Sequence, residues 1–408
     1  MTESTVSRRR AHRRLLQSAR PQEAVLVSPH EAVGRVAAQD VVAHCDVPEQ
    51  ACSVRDGFGV RSQDLQDAKP LNPISLKVTQ TIRAEAVDVQ PVKQGECARV
   101  LTGGMVPPGA DAVLAEEDVE VTDDSIRVSD PVRLGWFIRK AGGEIAKGDV
   151  IAHAGEEITP QAAAVMMRTR INSIQVHTTP HVRIIALGSE LSDPCCCGEE
   201  DCDGGRFPAD NIVLTTGLLG RSGCEVVQSG VLPDNKARLT NVLSDPDLPE
   251  VVITTGGTGR SERDFARSCA LEAGFKTVFD RLDIRPGRNM FAAHRGKTML
   301  FCLPGPPAAV FACYHAVILP FLRHLRGFPK EQPVTARLEK GISARPGGEW
   351  LVTCGLYFKE GSLIAVPYVG KEVPPMLAIG RAKGVAVLSG GDSILPGGQV
   401  EIISPVFA

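Results

Sequence analysis

Residues 251–259 read VVITTGGTG. Five apolar or β-branched residues running straight into two glycines are the pattern of a strand buried on both faces and stopped by a tight turn. The same grammar recurs on either side. VRIIAL (182–187) ends at Gly188, and TMLFCL (298–303) runs into Pro304-Gly305-Pro306-Pro307. CEVVQ (224–228) reads as a further strand. Between these runs lie helical stretches over 211–222, 235–244, 263–273 and 307–325. Asp210 and Asp234 precede the first two and are expected to cap them; Gly223 and Gly274 close the first and third. Strands alternating with capped helices imply a doubly wound parallel sheet covered on both faces, here over residues 178–326.

The flanks follow a different pattern. Residues 49–141 hold short strand-like runs (LKVTQTI, CARVL, AVLAEEDVEV, SIRVSD) with polar turns and little helical period, which predicts a β-rich domain. Residues 142–177 contain Thr159-Pro160, a cap and first-turn pair, ahead of QAAAVMMRTR. With residues 1–48 they are expected to form an elongated linking domain. Residues 327–408 return to short strands between Gly and Pro clusters, a C-terminal β domain. The fold class is α/β plus β in several domains.

At 408 residues the chain has room for two to four domains. Its 45 basic and 48 acidic side chains nearly cancel, to −3, which argues against a nucleic-acid binder. Aromatic residues at 4% leave few stacking platforms for single strands. No window holds 18 uninterrupted apolar residues, and the start is polar and arginine-rich (RRRAHRR, 8–14), so no membrane segment is expected. Eight of the twelve cysteines stand apart, which reads as free buried thiols in a cytoplasmic protein. The other four crowd into DPCCCGEEDCD (193–203), at Cys195, Cys196, Cys197 and Cys202. That loop lacks a CxxC spacing and reads better as an acidic loop with incidental or redox-active thiols than as a metal site.

Ligands of an open parallel sheet bind beyond the carboxyl ends of its strands. Gly188-Ser189-Glu190 follows the first such end. Gly256-Gly257-Thr258-Gly259 follows another, with Asp264 shortly after, and Pro304-Gly305 follows the last. Arg285-Pro286-Gly287-Arg288 lies just before the last strand. Glycines at strand ends let backbone N–H groups approach an anion, and two arginines in one loop add a bidentate grip. Glu190 and Asp264 could share a hard cation. The residues alone imply an anion site without naming its ligand.

With these loops and three further segments, the sequence resembles the molybdopterin molybdenumtransferase family, the molybdenum insertases, over nearly its whole length. SVRDGFGV (53–60) is similar to the family's S-x-M-D-G-Y-A, with Asp56 in place. LTGGMVPPGADAVLAEED (101–118) is similar to T-G-A-x-x-P-x-G-A-D-x-V-x-x-x-E, placing Thr102, Asp111 and Glu117. RKAGGEIAKGDVI (139–151) resembles R-x-x-G-x-D-x-x-x-G, with Glu144 at the aspartate. The resemblance implies a magnesium-dependent transferase of molybdenum cofactor biosynthesis. Such an enzyme inserts molybdate into adenylylated molybdopterin and releases AMP. It further implies a homodimer, with a molybdopterin adenylyltransferase and molybdoenzymes as partners.

Carried onto this chain, the resemblance makes Glu190, Asp234 and Asp264 cation ligands. Arg285 and Arg288 stand at the two lysines of K-P-G-K-P. Gly188, Asp210, Asn211, Gly256, Gly257, Thr258, Gly259, Pro304 and Gly305 become substrate contacts. Asp56, Thr102 and Glu144 would reach the cleft from the second subunit. The sequence departs from the family at several of these motifs. GDEL is GSEL, losing a carboxylate at Ser189, and D-S-N begins at Ala209. L-P-G-N-P is LPGPP, losing an amide donor at Pro306. GGTGRSERDF (256–265) is closer to the adenylyltransferases' G-G-T-G-x-x-x-R-D. An adenylyltransferase-like activity and a non-catalytic molybdopterin-binding paralogue therefore stay open beside insertion.

Overall fold

The computed structural model describes residues 5–194, 206–258, 265–370, 373–403 and 405. Gly259, Asp264 and the four clustered cysteines fall outside them. The chain forms two compact units. The first comprises the described residues of Met1–Val25, Gly34–Ala38 and Val176–Ala408; the second comprises Leu26–Val33 and Gln39–Gln175.

The α/β part of the first unit runs β1 (His181–Leu187), α1 (Asp210–Arg221), β2 (Glu225–Leu232), α2 (Lys236–Leu243) and β3 (Val251–Thr255). It continues through α3 (Ala266–Glu272), β4 (Lys276–Phe279), β5 (Phe291–Arg295), β6 (Thr298–Leu303) and the helical run α4 (Pro307–Leu325). The sheet order is β2-β1-β3-β6-β5-β4. The first four strands are parallel, and β5 and β4 add antiparallel to one edge. The sheet is thus mixed. The two antiparallel strands are short and lack the unbroken apolar run that made the other strands readable.

Side-chain alternation explains why both faces are covered. Ile184, Ala186, Ile253, Phe301 and Leu303 pack with Ile212 and Leu219 of α1 and Val310 and Phe321 of α4. Their neighbours Ile185, Leu187, Val252, Leu300 and Cys302 face Leu239 and Leu243 of α2 and Ala266 and Cys269 of α3. Every residue of β3 and β6 is buried.

Two helix starts differ from expectation. Ala209, not Asp210, occupies the N-cap of α1 and offers no side-chain bond; Asp210 is the first helical residue. Asn235, not Asp234, caps α2 by accepting from the Arg238 amide. Asp234 is drawn away to Ser189, with which it exchanges hydrogen bonds. The helix stops behave as read. Gly223 (φ +65°) and Gly274 (φ +83°) take left-handed backbone after α1 and α3. The run α4 is long and apolar, but most of it is buried within the unit. Of the eight separate cysteines six are buried, while Cys45 and Cys52 are half-exposed.

The C-terminal strands close on themselves. Glu349–Lys359 pairs with both Ser362–Pro367 and Gly384–Ser389, and Val334–Leu338 and Gln399–Ile403 complete the ring. The short strand Ile284–Arg285 leaves the α/β part and joins this barrel beside Glu349 and Trp350. Near the N-terminus, the helix Arg8–Ser18 buries Ala11 and Leu15 in the α/β core. Its Arg8 reaches Glu349 at 2.7 Å and Glu401 at 2.9 Å.

The second unit is built on a six-stranded sheet. Its order is Ala112–Ala115, Gly57–Val60, Glu96–Val100, Ile74–Ile82, Ser125–Val128 and Glu120–Val121. Phe58, Leu76, Leu114 and Ile126 fill its core. Gly57 has no substitute there, because a Cβ would fall 1.9 Å from the Leu114 carbonyl oxygen. A helix, Pro160–Arg168, starts at Thr159 as the cap, with Pro160 in the first turn.

Candidate functional site

A cavity of about 500 Å³ opens at the carboxyl edge of the parallel strands, where β1 lies between β2 and β3. This is the switch point at which open α/β sheets hold ligands. Its walls are the ends of three strands and the start of one helix. Ala186, Leu187, Glu190 and Leu191 come from β1 and its loop; Thr255, Gly256, Gly257 and Thr258 come from β3. Pro304, Gly305 and Pro306 follow β6, and Ala209, Asp210 and Asn211 open α1. Asp234 and Asn289 complete the wall.

Glycine is required at one of these turns for a stated reason. Gly256 has φ +89°, and a Cβ would lie 2.7 Å from the Leu187 carbonyl oxygen. Its amide donates to Leu303, so the turn after β3 is stitched to the end of β6. Gly305 lies open to the cavity with only the Gly256 Cα nearby, at 3.9 Å from a Cβ position. The strand ends therefore approach each other with backbone, which lets a ligand come close to the chain there.

The chemistry of the wall is lopsided. Glu190, Asp210 and Asp234 bring three carboxylates, while no Lys, Arg or His lines the cavity among the described residues. The positive elements are dipolar: the first-turn amides of the twelve-residue helix α1. Asn211 is only 8% exposed. Its Nδ2 donates to the Gly305 carbonyl at 2.7 Å, which fixes the amide's orientation because a carbonyl can only accept. Its Oδ1 is buried without a hydrogen-bond partner.

Ser189 compensates in part for the carboxylate that the family pattern has there. The Asp234 amide donates to Ser189 Oγ at 3.0 Å, and the Ser189 amide donates to Asp234 Oδ2 at 3.3 Å. The loops after β1 and β2 are thereby locked together, and Asp234 is held at the cavity. No three Asp, Glu, His or Cys side chains gather closely enough to hold an ion by themselves among the described residues. Glu190 and Asp234 nonetheless offer hard oxygen donors, which suits a magnesium ion that needs only one or two carboxylates beside substrate oxygens.

The expected arginine grip differs from the sequence reading. Arg285 and Arg288 do not line the cavity; both are exposed, and Asn289, one residue on, takes the place in the wall. The reason is the pairing of Ile284–Arg285 with the barrel, which carries Arg285 next to Trp350. Asn289 went unread because nothing but its position after two arginines marks it. Gly188 and Ser189 also stand behind the wall, not in it.

Asp56, Thr102 and Glu144 belong to the second unit. Asp56 Oδ1 accepts from the Thr102 amide at 2.6 Å and from Thr102 Oγ1 at 2.7 Å. Those two bonds hold the Asp56 carboxyl below the usual carboxylate range. Glu144 is ion-paired with Arg139. Asp111 accepts from Ser62, and Glu117 pairs with Arg55 at 3.2 Å.

The chain matches known proteins along most of its length. Residues 6–169 match the MoeA N-terminal region (domain I and II), and residues 183–324 match a probable molybdopterin binding domain. A molybdopterin molybdenumtransferase of Staphylococcus aureus is 28% identical over 375 residues, 88% of each chain. One of Staphylococcus epidermidis is 26% identical over 401 residues, 97% of this chain and 94% of its own. The crystal structure of a molybdopterin biosynthesis MoeA protein from Pyrococcus horikoshii superposes with a TM-score of 0.75 at 28% identity, covering 98% of this chain and 99% of its own.

Proposed function

This chain belongs to the molybdopterin molybdenumtransferase family, and from that premise we propose that it inserts molybdate into adenylylated molybdopterin with release of AMP. The observation that carries the reading is the cavity at the sheet's switch point, with three carboxylates, the first turn of α1 and no basic side chain in its described wall. Such a wall repels a free phosphate or molybdate. It accepts one that arrives with a divalent cation.

The chain's own residues divide the task. Glu190 and Asp234 are the groups that would hold a magnesium ion, with Asp264 as the sequence's third candidate. When bound, that ion supplies the positive charge that phosphate and molybdate oxygens need and polarises the phosphoanhydride. The α1 amides of Asp210 and Asn211 take phosphate oxygens, and the backbone of Gly256, Gly257, Thr258, Pro304 and Gly305 shapes the floor. Gly259 extends that loop in sequence. Gly188 permits the turn that brings Glu190 to the wall. Arg285 and Arg288 neutralise charge from the rim. Asp56, Thr102 and Glu144 are assigned to substrate contact from a second copy of the chain, so the working form is a cytoplasmic homodimer. A molybdopterin adenylyltransferase delivers its substrate, and molybdoenzymes take its product.

The test is a reaction with purified chain, adenylylated molybdopterin, molybdate and magnesium. Insertion predicts AMP and active cofactor in step, and loss of both in Glu190→Ala and Asp234→Ala. Turnover of ATP with bare molybdopterin would assign adenylyl transfer instead. Tight pterin binding with neither reaction would make the chain a carrier.

A further inference from the structure

Trp350 is one of two tryptophans in the chain, and it sits where the barrel meets the loop that enters the cavity wall. In the parallel pairing of Ile284–Arg285 with the barrel strand, Arg285 lies opposite Trp350. The Arg285 guanidinium carbon is 5.7 Å from the indole ring centre, within cation–π range. The indole is fixed from its other end, where Nε1 donates to the Arg345 carbonyl at 3.0 Å. The backbones are held together as well, since the Glu349 amide donates to the Asp283 carbonyl at 2.8 Å. Gly348 makes that approach feasible, because a Cβ there would come within 2.6 Å of Asp283.

The far side of the loop is braced too. The Leu282 amide donates to the Arg288 carbonyl, and the Met290 amide donates to the Gly287 carbonyl. Between these two bonds lies Asn289, in the cavity wall. Arg285 is exposed, and no carboxylate pairs with it among the described residues. A guanidinium with no carboxylate partner among the described residues, held over an indole four residues before Asn289 of the cavity wall, is kept in place and left available.

We propose that Trp350 is a positioning residue for Arg285: the barrel's indole holds the guanidinium at the start of the Asn289 loop, ready for the anionic end of the substrate. The proposal rests on the insertase reading for the substrate's identity and on the barrel pairing for its geometry. Removing a cation–π contact at an exposed position weakens the anion's hold roughly two- to fivefold.

The experiment uses the full chain carrying Trp136→Phe, so that Trp350 is the sole tryptophan. AMP and sodium molybdate, each with magnesium, are titrated against its emission. Emission that shifts saturably, and no longer shifts in Arg285→Ala, supports the proposal. In turnover with adenylylated molybdopterin, Trp350→Ala should raise KM roughly two- to fivefold while kcat holds, and Trp350→Phe should restore KM. Trp350 emission that stays unmoved at saturating AMP and molybdate overturns it. So does a wild-type KM in both Arg285→Ala and Trp350→Ala, an outcome that leaves insertion standing. Emission that responds to AMP in a protein that releases none from the substrate supports the positioning role and removes the insertase reading.

Discussion

His315 makes a quantitative prediction about acid stability. It lies in the π-helical turn Tyr314–Ile318 of α4, the helix that begins at the cavity's Gly305-Pro306 turn. It is 7% exposed, wedged edge-on against Phe311 and Tyr314, and neither ring nitrogen has a hydrogen-bond partner. Burial, with a smaller push from the Arg221 charge, lowers its pKa from 6.5 to about 4. Between those two values the unfolded chain binds a proton that the folded chain refuses, so stability falls as pH drops from about 6.5 towards 4. At 1.36 kcal/mol per pH unit, the cost between pH 7 and pH 4.5 is about 2 kcal/mol. His315→Met removes the titrating group and two unpartnered polar atoms while keeping a side chain that adapts to its space. Urea unfolding at pH 7 and pH 4.5 should show the variant losing about 2 kcal/mol less than wild type over that interval, and no less stable at pH 7. Parallel losses in the two proteins would refute the buried, neutral imidazole.

Three other substitutions probe separate parts of the molecule. Gly256→Ala places a Cβ against the Leu187 carbonyl at φ +89°, where only backbone could give way; it should destabilise the fold by about 2 kcal/mol, read as a lower melting temperature, and abolish AMP binding measured by calorimetry. Thr102→Val removes one of two hydrogen bonds to Asp56, so the Asp56 carboxyl should titrate closer to its ordinary value by NMR, and whatever stability its depressed pKa provides above that value should shrink. Arg8→Met leaves Glu349 and Glu401 facing each other without their cation. With those carboxylates partly exposed, urea unfolding at pH 7 should show a loss of about 1–3 kcal/mol.

The sequence made the buried part of the α/β layer legible because burial on both faces forces an unbroken apolar run. Val251–Thr255 and Thr298–Leu303 have the bounds that pattern gives. The antiparallel strands β4 and β5 span four and five residues and carry Lys276, Arg295 and other polar residues, so period alone could not find them. At α1 the helix starts one residue early, so Asp210 falls inside it and Ala209 takes the cap; at α2 the reason is chemical. An acid before a helix has other places to put its charge, and here Asp234 bonds Ser189 across two loops. Site glycines were readable because positive φ and close backbone approach leave few substitutes. Arg285 was readable as a charge but not as a neighbour of Trp350, since that contact depends on a strand pairing across 65 residues of sequence.

The claim on which the account rests is that an acidic cavity takes a phosphate-bearing substrate only together with a divalent ion. Calorimetric titration of AMP into the purified chain, with magnesium and again with EDTA, tests it most directly. The account predicts saturable binding with magnesium, loss of that binding in EDTA, and at least about tenfold weaker binding in a folded Glu190→Gln protein, the cost of about 1.4 kcal/mol for one lost cation ligand. Equal affinity in EDTA, or wild-type affinity in Glu190→Gln, would contradict it.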